Sequence, residues 1–279
     1  LSDVTLDIPR GMFGLLGPNG AGKSTLMRCI ATLQEPTSGD IRFEAIDVRR
    51  QPDALRAVLG YLPQDFGVYP RVSAQDLLDH LAVLKGMAGR GERKDTVQAL
   101  LQQVNLWDVR KKAVAGFSVG MRQRFGIAQA LIGNPQLVIV DEPTAGLDPE
   151  ERNRFNNLLV EIGESVVVVL STHIVDDVTD LCPRMAILAG GRIVASGAPR
   201  ELIRDLQGQV WAAAVDKDVL PALRQSHDVI ATRLREGRTQ VHVRARTCPG
   251  PGFEPVTATL EDVYFATLAE QRRAEEATV

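Results

Sequence analysis

Gly17-Pro18-Asn19-Gly20-Ala21-Gly22-Lys23-Ser24 decides how this chain folds. The octet fits G-x-x-x-x-G-K-[ST] and stands between an apolar run, Met12–Leu16, and a helical stretch from Lys23 to about Leu33. A strand, a glycine-rich turn and a helix in that order turn backbone N–H groups toward an anion with no side chains intervening. The helix N-terminus adds unpaired donors and partial positive charge. Gly17, Pro18, Asn19, Gly20, Ala21 and Gly22 are expected to cradle phosphates. Lys23 is expected to reach the β- and γ-phosphates and Ser24 to ligate Mg²⁺, with Thr25 on the α-phosphate side. A turn bearing a solvated lysine is the bland alternative, and the flanking strand and helix weigh against it.

Outward from this loop, Val4, Leu6 and Ile8 alternate with polar residues, which predicts a half-buried strand. Pro36-Thr37-Ser38-Gly39 predicts a turn and Asp40–Ile46 a strand. From about Val72 to Ile132 the pattern is helical: Leu77, Leu78, Leu81 and Leu84 recur at helical spacing, as do Val97, Leu100, Leu101 and Val104. Two apolar strands follow, Leu137–Val140 and Val166–Leu170, with a helix from Pro149 to about Ile162 between them. Their lack of alternation suits a parallel sheet covered by helices on both faces. Met185–Leu188 and Arg192–Ala195 predict a closing hairpin about Gly190-Gly191. Beyond Leu206 the pattern changes to a small α+β unit: a strand at Val210–Val215, a short helix near Val219–Arg224, and strands flanking Glu236-Gly237. A Pro/Gly loop at Cys248–Pro255 and a terminal helix over Leu260–Glu275 complete it.

The Leu137–Val140 strand delivers Asp141-Glu142 at its carboxyl end, the edge at which ligands bind in open parallel sheets. Asp141 there is placed to hold Mg²⁺. Glu142, one residue on, is placed to act on an attacking water as general base or orienting group. Two solvated carboxylates would be an even alternative without the phosphate loop; with it, the functional reading leads. The next strand ends in Ser171-Thr172-His173, which brings His173 to the same edge and within reach of a γ-phosphate. His80, His227 and His242 lack such placement and are read as structural, and Trp107 and Trp211 as packing residues. Arg272-Arg273, next to Glu275-Glu276, reads as a solvated helix end.

Composition excludes several classes. The 279 residues carry a formal charge of −3, which argues against a chain built to wrap nucleic acid. With 24 Gly and 15 Pro, the chain falls well below the roughly 25–30% of low-complexity sequences. Cys29, Cys182 and Cys248 are too few and too far apart for a disulfide framework or a zinc site, so a reducing cytosol is expected. No run approaches 18 apolar residues, and no secretory signal opens the chain. The first residue is Leu rather than Met, so a truncated or processed start is expected.

Taken together, Gly17–Thr25, Gln64 in Tyr61-Leu62-Pro63-Gln64, Phe117-Ser118-Val119-Gly120-Met121-Arg122-Gln123-Arg124, Leu137–Pro143 and Ala145-Gly146-Leu147-Asp148 resemble the nucleotide-binding domain of ATP-binding cassette (ABC) transporters. The motifs run in the family's order from residue 1 to about 206. The resemblance implies an α/β fold: a P-loop NTPase (RecA-like) core with an antiparallel β edge and a helical subdomain inserted near residues 65–135. Residues 207–279 would then form a small C-terminal α+β extension. It also implies ATP and Mg²⁺ as ligands and two ATP molecules sandwiched in a head-to-tail dimer. Gln64 would sense Mg²⁺ and move the helical subdomain. Ser118, a good N-cap in its own right, and Gly120 would face the nucleotide of the other copy. Asp148, which with Pro149 and Glu151 also reads as a capped helix start, would lie at the dimer interface.

Leu260-Glu261-Asp262-Val263-Tyr264 resembles the end of ATPase subunits that serve ABC-2-type drug and antibiotic exporters. The expected function is therefore ATP hydrolysis on the cytoplasmic face of a membrane, powering export through a separate permease. An importer ATPase, a non-transport ABC ATPase and a regulatory nucleotide-binding protein stay open. Two departures from the family pattern stand out. Val119 replaces the first glycine of the signature and Phe117 its leucine, so crowding by Val119 is expected to reduce function at the trans site. The aromatic residue that family members stack on adenine is expected upstream of residue 1.

Overall fold

Apolar runs without alternation need cover on both faces, and that requirement organises the centre of the molecule. The computed structural model describes residues 1–67, 69–235 and 237–276. The chain lays down β1 (Gly11–Leu16), α1 (Lys23–Ile30), β2 (Arg42–Phe43), β3 (Ile46–Asp47), α2 (Pro52–Val58) and β4 (Leu59–Leu62). Three helices follow, α3 (Ala74–Leu84), α4 (Arg90–Gln103) and α5 (Val119–Ala130). Then come β5 (Leu137–Asp141), α6 (Pro149–Gly163), β6 (Val167–Thr172), α7 (Val175–Leu181), β7 (Arg184–Ala189) and β8 (Arg192–Gly197). The last part holds α8 (Pro199–Leu206), β9 (Val210–Val215), α9 (Leu220–Ser226), β10 (Asp228–Arg235), β11 (Arg238–Arg244), β12 (Glu254–Pro255) and α10 (Leu260–Glu276).

The main sheet has the order β4-β5-β6-β1-β7-β8. β4 through β7 run parallel, and β8 turns back antiparallel on β7 as the closing hairpin. Every residue of β5 is buried, as a fully covered strand requires. Register aligns the carboxyl ends: Leu62 pairs with Val140, Asp141 with Ser171, and Leu16 with Thr172. The segments after β4, β5, β6 and β1 therefore leave one edge side by side. These are the segments that carry Gln64, Glu142, His173 and the Gly17–Gly22 loop. Against the sheet, α5 approaches β4 closely. A Cβ on Gly60 would strike the Ala130 carbonyl, and one on Gly126 would strike Leu62 and Phe66.

Two expected strands differ. Val4, Leu6 and Ile8 are half-buried on the core and alternate with exposed neighbours, yet no ladder forms along them. The alternation reported burial, while a strand also needs a partner backbone. Asp40–Ile46 is a hairpin of two short strands rather than one strand, because Glu44 turns the chain at φ 51°. The helix after the phosphate loop stops at Ile30, three residues early, where Thr32 enters the left-handed region at φ 62°.

A second sheet, β10-β11-β9-β12, is antiparallel throughout. The turn expected at Glu236-Gly237 involves Glu236, which lies outside the described residues. Leu223 of α9 packs with Ala213, Val241 and Val243. Leu260, Val263, Tyr264 and Leu268 of α10 instead join the core that contains Val178, Cys182 and Met185, so the last helix and the main sheet share one apolar interior. Among the described residues, no helix is long and apolar enough to cross a membrane.

Candidate nucleotide site

The phosphate loop has the backbone its sequence predicts. Gly20 and Gly22 take φ of 81° and 104°, conformations that a Cβ disfavours. Lys23 opens α1 and is only 6% exposed. Its ammonium donates to the Gly17 carbonyl at 2.8 Å and the Pro18 carbonyl at 3.3 Å, so the loop wraps its own lysine. The same ammonium pairs with Glu142 Oε1 at 3.2 Å.

Glu142 is buried and holds φ at 50°, a left-handed conformation costing a non-glycine residue of order 1–3 kcal/mol. Its N–H donates to the Ser171 carbonyl at 2.9 Å. Its Oε2 accepts from His173 Nδ1 at 2.5 Å, which leaves one carboxylate gripped between an ammonium and an imidazole. Pro18, Asn19, Gly20, Gly22, Lys23, Ser24, Thr25, Gln64, Glu142 and His173 line one cleft of about 390 Å³. That volume lies within the roughly 300–1,000 Å³ of small-ligand sites.

Asp141 does not line the cleft. It is buried at the neighbouring strand end, with Oδ1 lacking any partner, and the Ser171 hydroxyl opposite it in register is unpartnered too. Unsatisfied buried oxygens are costly, and an open carboxylate oxygen beside a hydroxyl is the hard-oxygen donor chemistry that a hydrated divalent cation takes. Gly17 and Ala21 stay behind the cleft, where the Gly17 carbonyl holds Lys23 and Ala21 packs into the core.

Ser118, Gly120 and Asp148 lie outside the cleft. Ser118 caps α5 by accepting from Met121 N–H at 3.2 Å, and Asp148 caps α6 by accepting from Glu151 N–H at 2.9 Å. Glu151 does not close a capping box on Asp148. Its carboxylate pairs with Arg124 and packs against Gly120, locking the first turn of α6 to α5. Sequence reading missed this pair and the Lys23–Glu142 pair, since neither has a local spacing that announces it. It also missed Asp177, a fully buried carboxylate reached by Thr144, Arg152 and Asn156.

A family profile described as ABC transporter matches residues 1–145. The chain belongs to the ABC transporter ATPases. The ABC transporter ATP-binding protein NatA of Bacillus subtilis is 36% identical over 203 residues, covering 72% of this chain and 82% of NatA. The linearmycin resistance ATP-binding protein LnrL of the same organism is 31% identical, covering 87% and 79% of the two chains. The methionine import ATP-binding protein MetN of Latilactobacillus sakei is 32% identical, covering 85% and 72%. Among solved structures, the dimeric post-hydrolysis state of the ATP-binding cassette MJ0796 bound to ADP and Pi matches this ABC ATPase with a TM-score of 0.64. Sequence identity in that pair is 25%, over 70% of this chain and 88% of the other.

Proposed function

We propose that this ABC ATPase binds ATP and Mg²⁺ in the cleft, hydrolyses ATP as a head-to-tail dimer, and drives export through a separate membrane-embedded permease at the cytoplasmic face. The observation that carries the reading is the convergence of the phosphate loop, Gln64, Glu142 and His173 on one cleft at the carboxyl edge of the sheet. In this reading residues 1–206 are the ATPase domain, with a helical subdomain near 65–135, and residues 207–279 are an accessory region.

Each side chain has a task. Phosphate oxygens are stronger acceptors than carbonyls, so Lys23 exchanges its hold on Gly17 and Pro18 for the β- and γ-phosphates. The loop N–H groups of Pro18–Thr25 other than proline's, with the N-terminus of α1, bind the remaining phosphate charge. Glu142 takes a proton from the attacking water as its oxygen bonds to the γ-phosphorus and the bond to the β-phosphate bridging oxygen breaks. His173 holds the Glu142 carboxylate on one side and meets the γ-phosphate on the other. Ser24, Gln64 and Asp141 would hold Mg²⁺, which when bound neutralises charge on the β- and γ-phosphates. Ser118 and Gly120 at the N-terminus of α5, with Asp148, complete the site of a second copy.

Export is supported by the likeness of Leu260–Tyr264 to exporter subunits and by the resistance protein LnrL. Import is the second reading, because MetN aligns over 85% of the chain. Capture of the full-length protein from gently solubilised native membranes tests the transport role. A stoichiometric multi-span permease is expected, and purely ribosomal or soluble partners would overturn it. ATP-dependent accumulation in inside-out vesicles carrying that pair then separates export from import.

A further inference from the structure

We propose that Asp177 is a positioning residue for hydrolysis: it clamps the turn that aims Glu142 and ties that turn to the helix behind His173. The inference rests on the assignment of Glu142 as the base. Three segments meet at this carboxylate, which is 0% exposed. Its Oδ2 accepts from the Thr144 hydroxyl at 2.6 Å, two residues beyond Glu142. Its Oδ1 accepts from Arg152 Nε and pairs with Arg152 Nη2, both at 2.8 Å, and lies 3.4 Å from Asn156 Nδ2. Arg152 and Asn156 belong to α6, and Asp177 itself lies in α7, four residues past His173.

The need for a clamp follows from the backbone. Glu142 sits at φ 50°, and such a residue persists only where its surroundings over-determine it. Upstream, its own N–H is fixed on the Ser171 carbonyl. Downstream, Pro143 makes no N–H bond, and the Thr144 hydroxyl on Asp177 is the side-chain anchor. The Thr144 carbonyl then accepts from Leu147 N–H at 3.2 Å, which carries the constraint to Asp148, the cap of α6. On the other arm, the Thr172 hydroxyl accepts from Ile174 N–H at 3.0 Å and fixes the bend at His173 before α7 begins. Asp177 thus holds the two backbones whose side chains, Glu142 and His173, meet at 2.5 Å.

Asp177 does not line the cleft, so its loss should spare nucleotide binding and disturb the aim of the base. In catalysis a small misplacement of a reacting group lowers rate steeply. Thr144→Val removes the hydroxyl at nearly constant volume, Asp177→Asn removes the charge that Arg152 faces, and Thr144→Ser keeps the hydroxyl. ATP hydrolysis and equilibrium ATP binding are measured on full-length protein for these variants, with Glu142→Gln alongside. Thr144→Val and Asp177→Asn are expected to lower kcat by about tenfold or more while KM and Kd for ATP move by less than about twofold. Thr144→Ser is expected to stay within about twofold of the wild type in all three. The clamp is overturned if Glu142→Gln abolishes hydrolysis while Thr144→Val and Asp177→Asn keep wild-type kcat. It is overturned equally if ATP affinity falls in step with kcat, the mark of a general structural role. Wild-type hydrolysis by Glu142→Gln would instead remove the reading of Glu142 on which the inference stands.

Discussion

Lys23 and Glu142 neutralise each other across 3.2 Å in a place where both are more than nine-tenths buried. A buried charge left without its partner is strongly destabilising, so each of the two fixes the other's position in the cleft. Lys23→Ala removes the ammonium proposed to meet the phosphates. Charge-assisted hydrogen bonds of this kind contribute about 1.5–3 kcal/mol, so ATP Kd measured by titration calorimetry should rise roughly 10- to 150-fold. Gly17–Thr25 was readable in sequence because its pattern is local: nine consecutive residues hold both the turn and the start of the helix. Asp141, Glu142 and His173 were readable as strand ends. Asp177 was not, because it lies 33 residues from Thr144 and only the packing of α7 against the sheet brings them together.

Helix α5 begins with the Ser118 cap and then Val119, whose side chain is 43% exposed. An exposed valine on the first turn stands where the family pattern has glycine, and where N–H donors of α5 would meet the phosphate of a second copy. Val119→Gly should therefore raise steady-state ATP turnover at saturating ATP. Unchanged turnover would show that the valine does not crowd the approach. Gly120 next to it is bound by packing rather than by conformation, since a Cβ would strike the Glu151 carboxylate that pairs with Arg124. Periodicity was a good guide to helices and to the covered strands of the sheet. It failed at Val4–Ile8 and Asp40–Ile46, where apolar spacing records which side chains face the core and says nothing of which backbones pair.

The second sheet is joined to the main core through α10, and the joint is polar as well as apolar. Thr259 and Asp262 cap the start of α10 reciprocally: Asp262 Oδ2 accepts from Thr259 N–H at 2.9 Å and from its hydroxyl at 2.8 Å. His242 of β11 donates to Asp262 Oδ1 at 2.6 Å. His242, read from sequence as structural, is one of the ties between sheet and helix, beside the Arg233–Glu261 and Arg244–Glu270 pairs. At the far end Arg273 pairs with Asp228 at 3.1 Å, so the helix end read as solvated also holds β10. Burial opposes the charge on Asp262, yet the hydrogen bonds from His242 and Thr259 outweigh it and hold its pKa below the ordinary 3.8. A carboxyl depressed in the folded state adds stability that is present above its unfolded pKa and is lost as pH falls through the folded one. Acidification below about pH 4 should therefore weaken the tie. Asp262→Asn should lower the urea midpoint at pH 7 and flatten its acid dependence. Fluorescence of Trp211, whose indole N–H donates to the Ala245 carbonyl at 3.0 Å, is a local reporter of the second sheet.

A chain whose strands, loop and helices converge on one cleft is judged most directly at Glu142, the carboxylate proposed to act on water. Glu142→Gln keeps the shape of the side chain and removes its capacity to accept a proton. Hydrolysis and ATP binding measured on the same preparation should show affinity close to the wild type and a rate lower by about 10²–10⁴-fold. Hydrolysis at the wild-type rate, with binding intact, would contradict Glu142 as the base and with it the proposed mechanism of this cleft.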